Sequence, residues 1–221
     1  MKTFYDLQEG LYDPNIFKAF FLAGGPGSGK SYVAGRTMGG HGLKSVNADE
    51  AFEYLLKQAG LSLKMPPEQQ EPRDVVRGRA KDITKARQKN YLEGRLGVVI
   101  DGTGRDADKI LKQKAGLEEL GYDTYMIFVN TSLDVALQRN AERARSVPEP
   151  IVVKAWKDVQ ANIGKFSNMF RAGFIVGDNN DAGEDILKEV EKRVRGLLRK
   201  KVKNTRAQSW MAAELARKQR K

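Results

Sequence analysis

Cysteine is absent from the 221 residues of this chain and histidine occurs once. Without thiols there is neither a disulfide framework nor a thiolate metal centre, which fits a reducing compartment and leads us to expect a cytoplasmic protein. The lone histidine, His41, sits in Gly39-Gly40-His41-Gly42, a loop composition, and is read as a loop residue rather than a ligand. Long apolar runs are missing too. The longest, residues 19–23 and 126–129, have the length of strands and fall far short of a membrane-spanning helix. Residues 1–10 are polar and acidic and lack a basic region followed by an apolar stretch, so no secretory leader is expected. Acid is scarce in one place only: residues 192–221 carry 12 Lys and Arg against the single acid Glu214, whereas residues 1–191 balance at 27 of each sign. The net charge of +11 therefore belongs to the C-terminal stretch. Such a block fits either a contact for nucleic acid or another anionic surface, or a solvated terminal helix.

The most specific feature present is Phe20-Phe21-Leu22-Ala23-Gly24-Gly25-Pro26-Gly27-Ser28-Gly29-Lys30-Ser31. An apolar strand leads into G-x-x-x-x-G-K-S and a helix follows, which is the context a P-loop requires. Gly24, Gly25, Gly27 and Gly29 let the backbone turn its N–H groups around a phosphate, with Pro26 and Ser28 completing the loop. The N-terminus of the next helix adds positive charge to that cavity. Lys30 is placed to reach the β- and γ-phosphates and the Ser31 hydroxyl to sit on Mg²⁺, so the expected ligands are ATP and Mg²⁺.

The rest of the chain alternates strands and helices. Short strands are expected at 44–47, 97–101, 125–130 and 174–176, with helices at 31–38, 51–59, 74–95, 106–120, from about 131 to 143, 151–170 and from 184 to about 203. Residues 61–72, rich in Pro, Gln and Glu, read as a loop. This pattern predicts an α/β fold of the P-loop NTPase type, a mostly parallel sheet with helices on both faces and a kinase-like lid. The expected organisation is a lead-in over 1–17, a kinase domain over 18–200 and a basic tail over 201–221. Of the eight basic side chains between Arg73 and Arg95, most are read as solvated, with an acceptor-binding role open to a few.

Ligands in such sheets bind beyond the carboxyl ends of the strands, and the chemically interesting residues obey that rule. Asp49, after the second strand, is the candidate base that takes a proton from an acceptor hydroxyl, the alternative being that it caps the following helix. Asp101 ends an apolar strand and is placed to hold Mg²⁺ through water. Thr103 and Arg105 follow it and are candidates for holding an acceptor. Arg139, Arg143 and Arg145 lie at a helix end and in the loop before Pro148; as lid arginines Arg139 and Arg143 would stabilise charge on the transferred phosphoryl group, and as plain basic residues they would suit the helix C-terminus.

These motifs together resemble the kinase module of bacteriophage polynucleotide kinase and the zeta-toxin family, over about residues 18–177. Val46-Asn47-Ala48-Asp49-Glu50 is similar to the segment bearing the acceptor-activating aspartate in both. Arg139-Asn140, Arg143 and Val147-Pro148 resemble the polynucleotide kinase lid, with one residue fewer before the proline. Asp101-Gly102-Thr103-Gly104-Arg105 and Gly121-Tyr122 look closer to zeta toxins, where a related stretch holds a nucleotide sugar. Phe52 stands where polynucleotide kinases carry an arginine that grips the acceptor phosphate. The Pro-Pro-Glu-Gln insert and the basic end with Trp210 resemble kinases of tailed, myovirus-type bacteriophages, which would place the protein in a host cytoplasm. The resemblance implies an ATP-dependent phosphotransferase acting on a hydroxyl of a nucleotide or nucleic acid, or alternatively of a nucleotide sugar. A nucleotide-switched nucleic-acid-binding protein is the remaining alternative.

Overall fold

The computed structural model describes residues 10–64, 66–143, 146–181 and 183–219. Five strands, β1 (Lys18–Ala23), β2 (Lys44–Val46), β3 (Val98–Asp101), β4 (Asp123–Asn130) and β5 (Phe174–Asp178), form one sheet in the order β2-β3-β1-β4-β5. Every pairing is parallel. β1 is central, with Leu22 beside Asp101 on one flank and Ile127 on the other. It is buried along its whole length, as an apolar strand covered on both faces must be.

Alternation along β1 divides the core. Ala19, Phe21 and Ala23 face one layer with Met126 and Phe128, while Phe20 and Leu22 face the other with Ile127 and Val129. The first layer is closed by α4 (Ala107–Glu119), α6 (Glu149–Gln160), α7 (Ile163–Phe170) and α9 (Thr205–Gln219). The second is closed by α1 (Lys30–Met38) and α8 (Glu184–Leu198), through Val33, Met38, Leu187, Val190 and Val194. A third, separate cluster joins α2 (Ala48–Gln58) to α3 (Gln70–Glu93) through Phe52, Leu56, Val76 and Ala80. The remaining helix, α5 (Leu133–Glu142), follows β4.

α3 begins at Gln70, inside the stretch read as a loop, and three further elements differ from the pattern read in the sequence for visible reasons. The helix expected over 151–170 is two helices, broken at Ala161 and Asn162. Asn162 is buried there, and its Nδ2 donates to the carbonyls of Gly104 (3.0 Å) and Arg105 (2.9 Å). A side chain that satisfies a neighbouring loop has taken precedence over helix continuity. β4 starts two residues early because Asp123 forms an ion pair with the buried Lys18 at 2.5 Å and its N–H donates to Phe17 O. The helix expected from 184 to about 203 stops at Leu198, and after a short connection the chain forms a further helix, α9, docked on the core. Within α9, Ala207 is fully buried, Trp210 and Met211 pack on the core, and the Trp210 ring meets Phe17 edge-on at 5.5 Å. Among the described residues no helix is long and apolar enough to cross a membrane.

Candidate active site

The phosphate loop turns through three glycines with positive φ: Gly24 at 153°, Gly27 at 77° and Gly29 at 81°. At Gly27 the requirement is double. The conformation disfavours a side chain, and a Cβ there would lie 2.0 Å from the carbonyl oxygen of Ala136 in α5. At Gly29 a Cβ would run into Asn179 Nδ2 at 2.3 Å. The loop is thus pressed between α5 and the residues beyond β5, and its shape leaves room for glycine alone. Gly25 lies against the backbone of Trp156 in α6, whose indole Nε1 donates to Thr131 O at 2.8 Å. Pro26 is half-buried within the same turn.

Lys30 opens α1, and its Nζ donates to Gly24 O at 2.6 Å. The ammonium closes back on the loop that is to hold the phosphate. Burial pushes the Lys30 pKa down; Asp101 and Asp49 oppose the shift while Arg143 adds to it. Burial likewise pushes the Asp101 carboxyl up, with Lys30 opposing and Asp49 and Glu50 adding to the rise. Asp49, Asp101 and Arg143, picked from three separate stretches of sequence, therefore all lie near enough for their charges to act on Lys30. Parallel pairing explains the convergence, because β1, β2 and β3 all release their chains at the same edge of the sheet.

Asp49 lies in the first turn of α2 and is exposed. The residue that caps this helix is Asn47, whose Oδ1 accepts from Asp49 N at 2.8 Å and whose Nδ2 donates to Asp101 Oδ2 at 2.9 Å. The capping alternative for Asp49 is thereby corrected: Asn47 does that work and also orients the Asp101 carboxylate. Ser31 is exposed at the start of α1. Among the described residues no group of three His, Cys, Asp or Glu gathers into a metal cage. A Ser hydroxyl and one carboxylate, all oxygen, match what Mg²⁺ takes from protein when phosphates and water supply its remaining ligands.

The Gly102 N–H donates to Leu22 O and Gly24 N to Thr103 O, so the segment after β3 is stitched to β1 and to the phosphate loop. The Thr103 side chain is exposed beside it. Arg105 is turned toward α6, where it pairs with Asp158 through Nε at 3.2 Å and Nη2 at 3.1 Å. That pair is partly exposed and worth at most about 1 kcal/mol, so an anionic acceptor could compete for the guanidinium. Arg139 donates from Nη1 to Asn179 O (2.6 Å) and from Nη2 to Asn180 O (2.9 Å). It ties α5 to the segment after β5, next to Gly29, and keeps N–H groups in reserve. Arg143 is exposed at the end of α5, and its charge acts on Lys30. Arg145 lies outside the described residues.

Asn47, Trp156, Asn162 and Asn179 were not singled out in the sequence. Asn179 is buried and donates to Ser28 O at 2.8 Å, fixing the loop from behind. Its signal was available, since Asp178-Asn179-Asn180 directly follows an expected strand and so falls at the ligand edge. Within the loop the Ser28 hydroxyl is buried with no hydrogen-bond partner, as is that of Thr131 after β4. An orphaned donor inside a glycine cradle fits an anion that accepts from it.

An all-parallel sheet in this strand order, with the loop after its central strand wrapped around a half-buried lysine, is a P-loop kinase-like fold. The chain belongs to the AAA_33 family, described as an AAA domain, whose model matches residues 20–165. Its sequence matches no curated protein. Solved structures share the fold at low identity. A chain of the AvrRxo1-ORF1:AvrRxo1-ORF2 complex crystallised with ATP is 16% identical with a TM-score of 0.61, over 80% of this chain and 59% of that one. A chain of the Pnkp1/Rnl/Hen1 RNA repair complex is 22% identical with a TM-score of 0.53, over 69% and 47%. A chain of the PezAT toxin-antitoxin system of Streptococcus pneumoniae is 13% identical with a TM-score of 0.53, over 90% and 99%.

Proposed function

We propose that this protein transfers the γ-phosphate of ATP to a hydroxyl of a nucleotide or nucleic acid. The observation that carries the reading is the convergence of Lys30, Asp49, Asp101 and Arg143 at the strand edge beside the glycine cradle. A phosphate entering the cradle would draw the Lys30 ammonium from Gly24 O, exchanging a carbonyl for a full anion. The Asp49 carboxylate would accept the acceptor's hydroxyl proton as that oxygen bonds to the γ-phosphorus. The bond to the β,γ-bridging oxygen breaks, and its electron pair leaves with ADP. Arg143, with Arg139 if released from its carbonyls, would balance charge on the equatorial oxygens. Ser31 and Asp101 would hold Mg²⁺, which when bound neutralises charge on the phosphates.

Support for a nucleic-acid acceptor comes from the polynucleotide-kinase-like order of Asp49, Arg139 and Arg143 and from the fold shared with a chain of an RNA repair complex. The nucleotide-sugar alternative draws on a different observation: the Thr103–Arg105 segment is fixed to the phosphate loop, and only a weak pair occupies Arg105. Labelled ATP offered with nucleosides, 5′-hydroxyl DNA and RNA, and UDP-sugars tests the reading. Label on nucleoside or polynucleotide hydroxyls is the expected result. Label on UDP-sugars alone would replace it with the alternative, and label on none would remove the transferase reading.

A further inference from the structure

A second basic cavity lies at the opposite end of the sheet from the phosphate loop. It encloses about 750 Å³ at the amino ends of β4 and β5, against Asp123 to Tyr125 and the turn just before Phe174. Arg171 stands on one wall and Lys200, Lys201 and Lys203, from the segment joining α8 to α9, on another. None of these four cations makes an ion pair among the described residues. The two carboxylates in the lining are already engaged: Glu118 by Lys114 Nζ (2.6 Å) and Thr124 Oγ1 (2.8 Å), Asp123 by Lys18 Nζ (2.5 Å). The cavity thus presents unneutralised positive charge.

Arg171 adds an independent sign. Its φ of 46° is left-handed, a conformation glycine takes readily and a long side chain does not. The neighbouring Gly173 is buried with φ on the ordinary side, so the strain has been placed on the arginine. Strain of this kind persists where surrounding structure demands it and gathers at binding sites. The lysines are held by docking: α9 is anchored through Ala207 and Trp210, which fixes the segment 199–204 between two helices.

We infer that this cavity binds the phosphodiester backbone of a single-stranded nucleic acid, downstream of the end that reaches Asp49. Successive cations on one strand of chain match a linear polyanion. The inference rests on the nucleic-acid half of the proposed function. β4 spans eight residues, about 26 Å at the usual rise, so an acceptor must run for several nucleotides to occupy both ends.

Binding of a 3′-labelled 20-nucleotide single strand, followed by fluorescence anisotropy without ATP, tests the inference independently of catalysis. Replacing Lys200, Lys201 and Lys203 together by Ala should weaken binding at least tenfold in low salt and lower the slope of log affinity against log salt by about 2, from roughly 0.7 per phosphate contact. Arg171→Gly should also weaken binding while relieving backbone strain, so its thermal midpoint should not fall. Transfer to the 20-mer should show a raised KM at constant kcat in the triple variant, and transfer to a trinucleotide no change. Equal affinity and salt slope in wild type and triple variant, or no binding by the wild type at low salt, would overturn the inference. Lysine-dependent binding without transfer would uphold the cavity and remove the polynucleotide acceptor; transfer with lysine-independent binding would do the reverse.

Discussion

Lys30 is the residue whose ionisation the site controls most directly. Burial holds its pKa below the ordinary lysine value, so the native apo protein releases this proton before the unfolded chain does. Between the lowered and the ordinary value the unfolded state binds more protons, and the contribution of Lys30 to stability rises with pH across that window. Nucleotide reverses the preference, because phosphate favours the ammonium. ATP binding above the lowered pKa should therefore take up a proton, and affinity should fall as pH climbs. Calorimetry in buffers of different ionisation enthalpy reads the proton directly; Lys30→Met should abolish the uptake and weaken binding by tenfold or more. The two arginines should separate. Arg143→Ala should lower kcat with little change in ATP KM, whereas Arg139→Ala, which cuts two bonds to the segment after β5, should lower the melting temperature and ATP affinity together. Gly27→Ala should abolish ATP binding, since the methyl has nowhere to go against Ala136 O.

Among the elements, the parallel strands and the loop after β1 were legible because apolar runs and glycine spacing are local signals. The helix break at Asn162 was not, because its cause is the carbonyls of Gly104 and Arg105, more than fifty residues away. Asn162→Ala should leave both without that donor and cost about 1–3 kcal/mol, readable as a lower thermal midpoint. The docking of α9 was only partly legible, for a similar reason. Trp210 and Met211 are few among many charges, and what recommends them is the surface offered by Phe17 and Tyr122 at the foot of the sheet. The packing predicts that removal of residues 203–221 costs about 2–4 kcal/mol, or about 5–15 °C in the thermal midpoint. Trp210→Ala alone should reproduce part of it.

Across the whole molecule, charge and chemistry are segregated. Asp49, Lys30 and Asp101 sit where the strands end, while Arg171, Lys200, Lys201 and Lys203 sit where β4 and β5 begin. Lys30, Asp49 and Asp101 were readable as candidates because the phosphate loop and both acids lie at or just beyond strand ends, which the parallel order brings together, whereas Arg139 and Arg143 stand at the end of α5. What supports them was less so: Asn47 and Asn179 act through bonds that only the assembled sheet creates. In the proposed reaction Asp49 has the most specific chemical role, proton acceptor for the incoming hydroxyl, on an exposed turn that Asn47 already caps. Asn at this position keeps the size of the side chain and leaves the Asn47 cap in place, so the loss of the carboxylate charge is the main change. The decisive measurement is phosphoryl transfer by Asp49→Asn, with ATP affinity determined on the same preparation. Turnover slower by about two to four orders of magnitude, with ATP affinity unchanged, is the predicted result. Transfer at the wild-type rate would contradict the assignment of Asp49, and with it the reading of this site as a hydroxyl kinase.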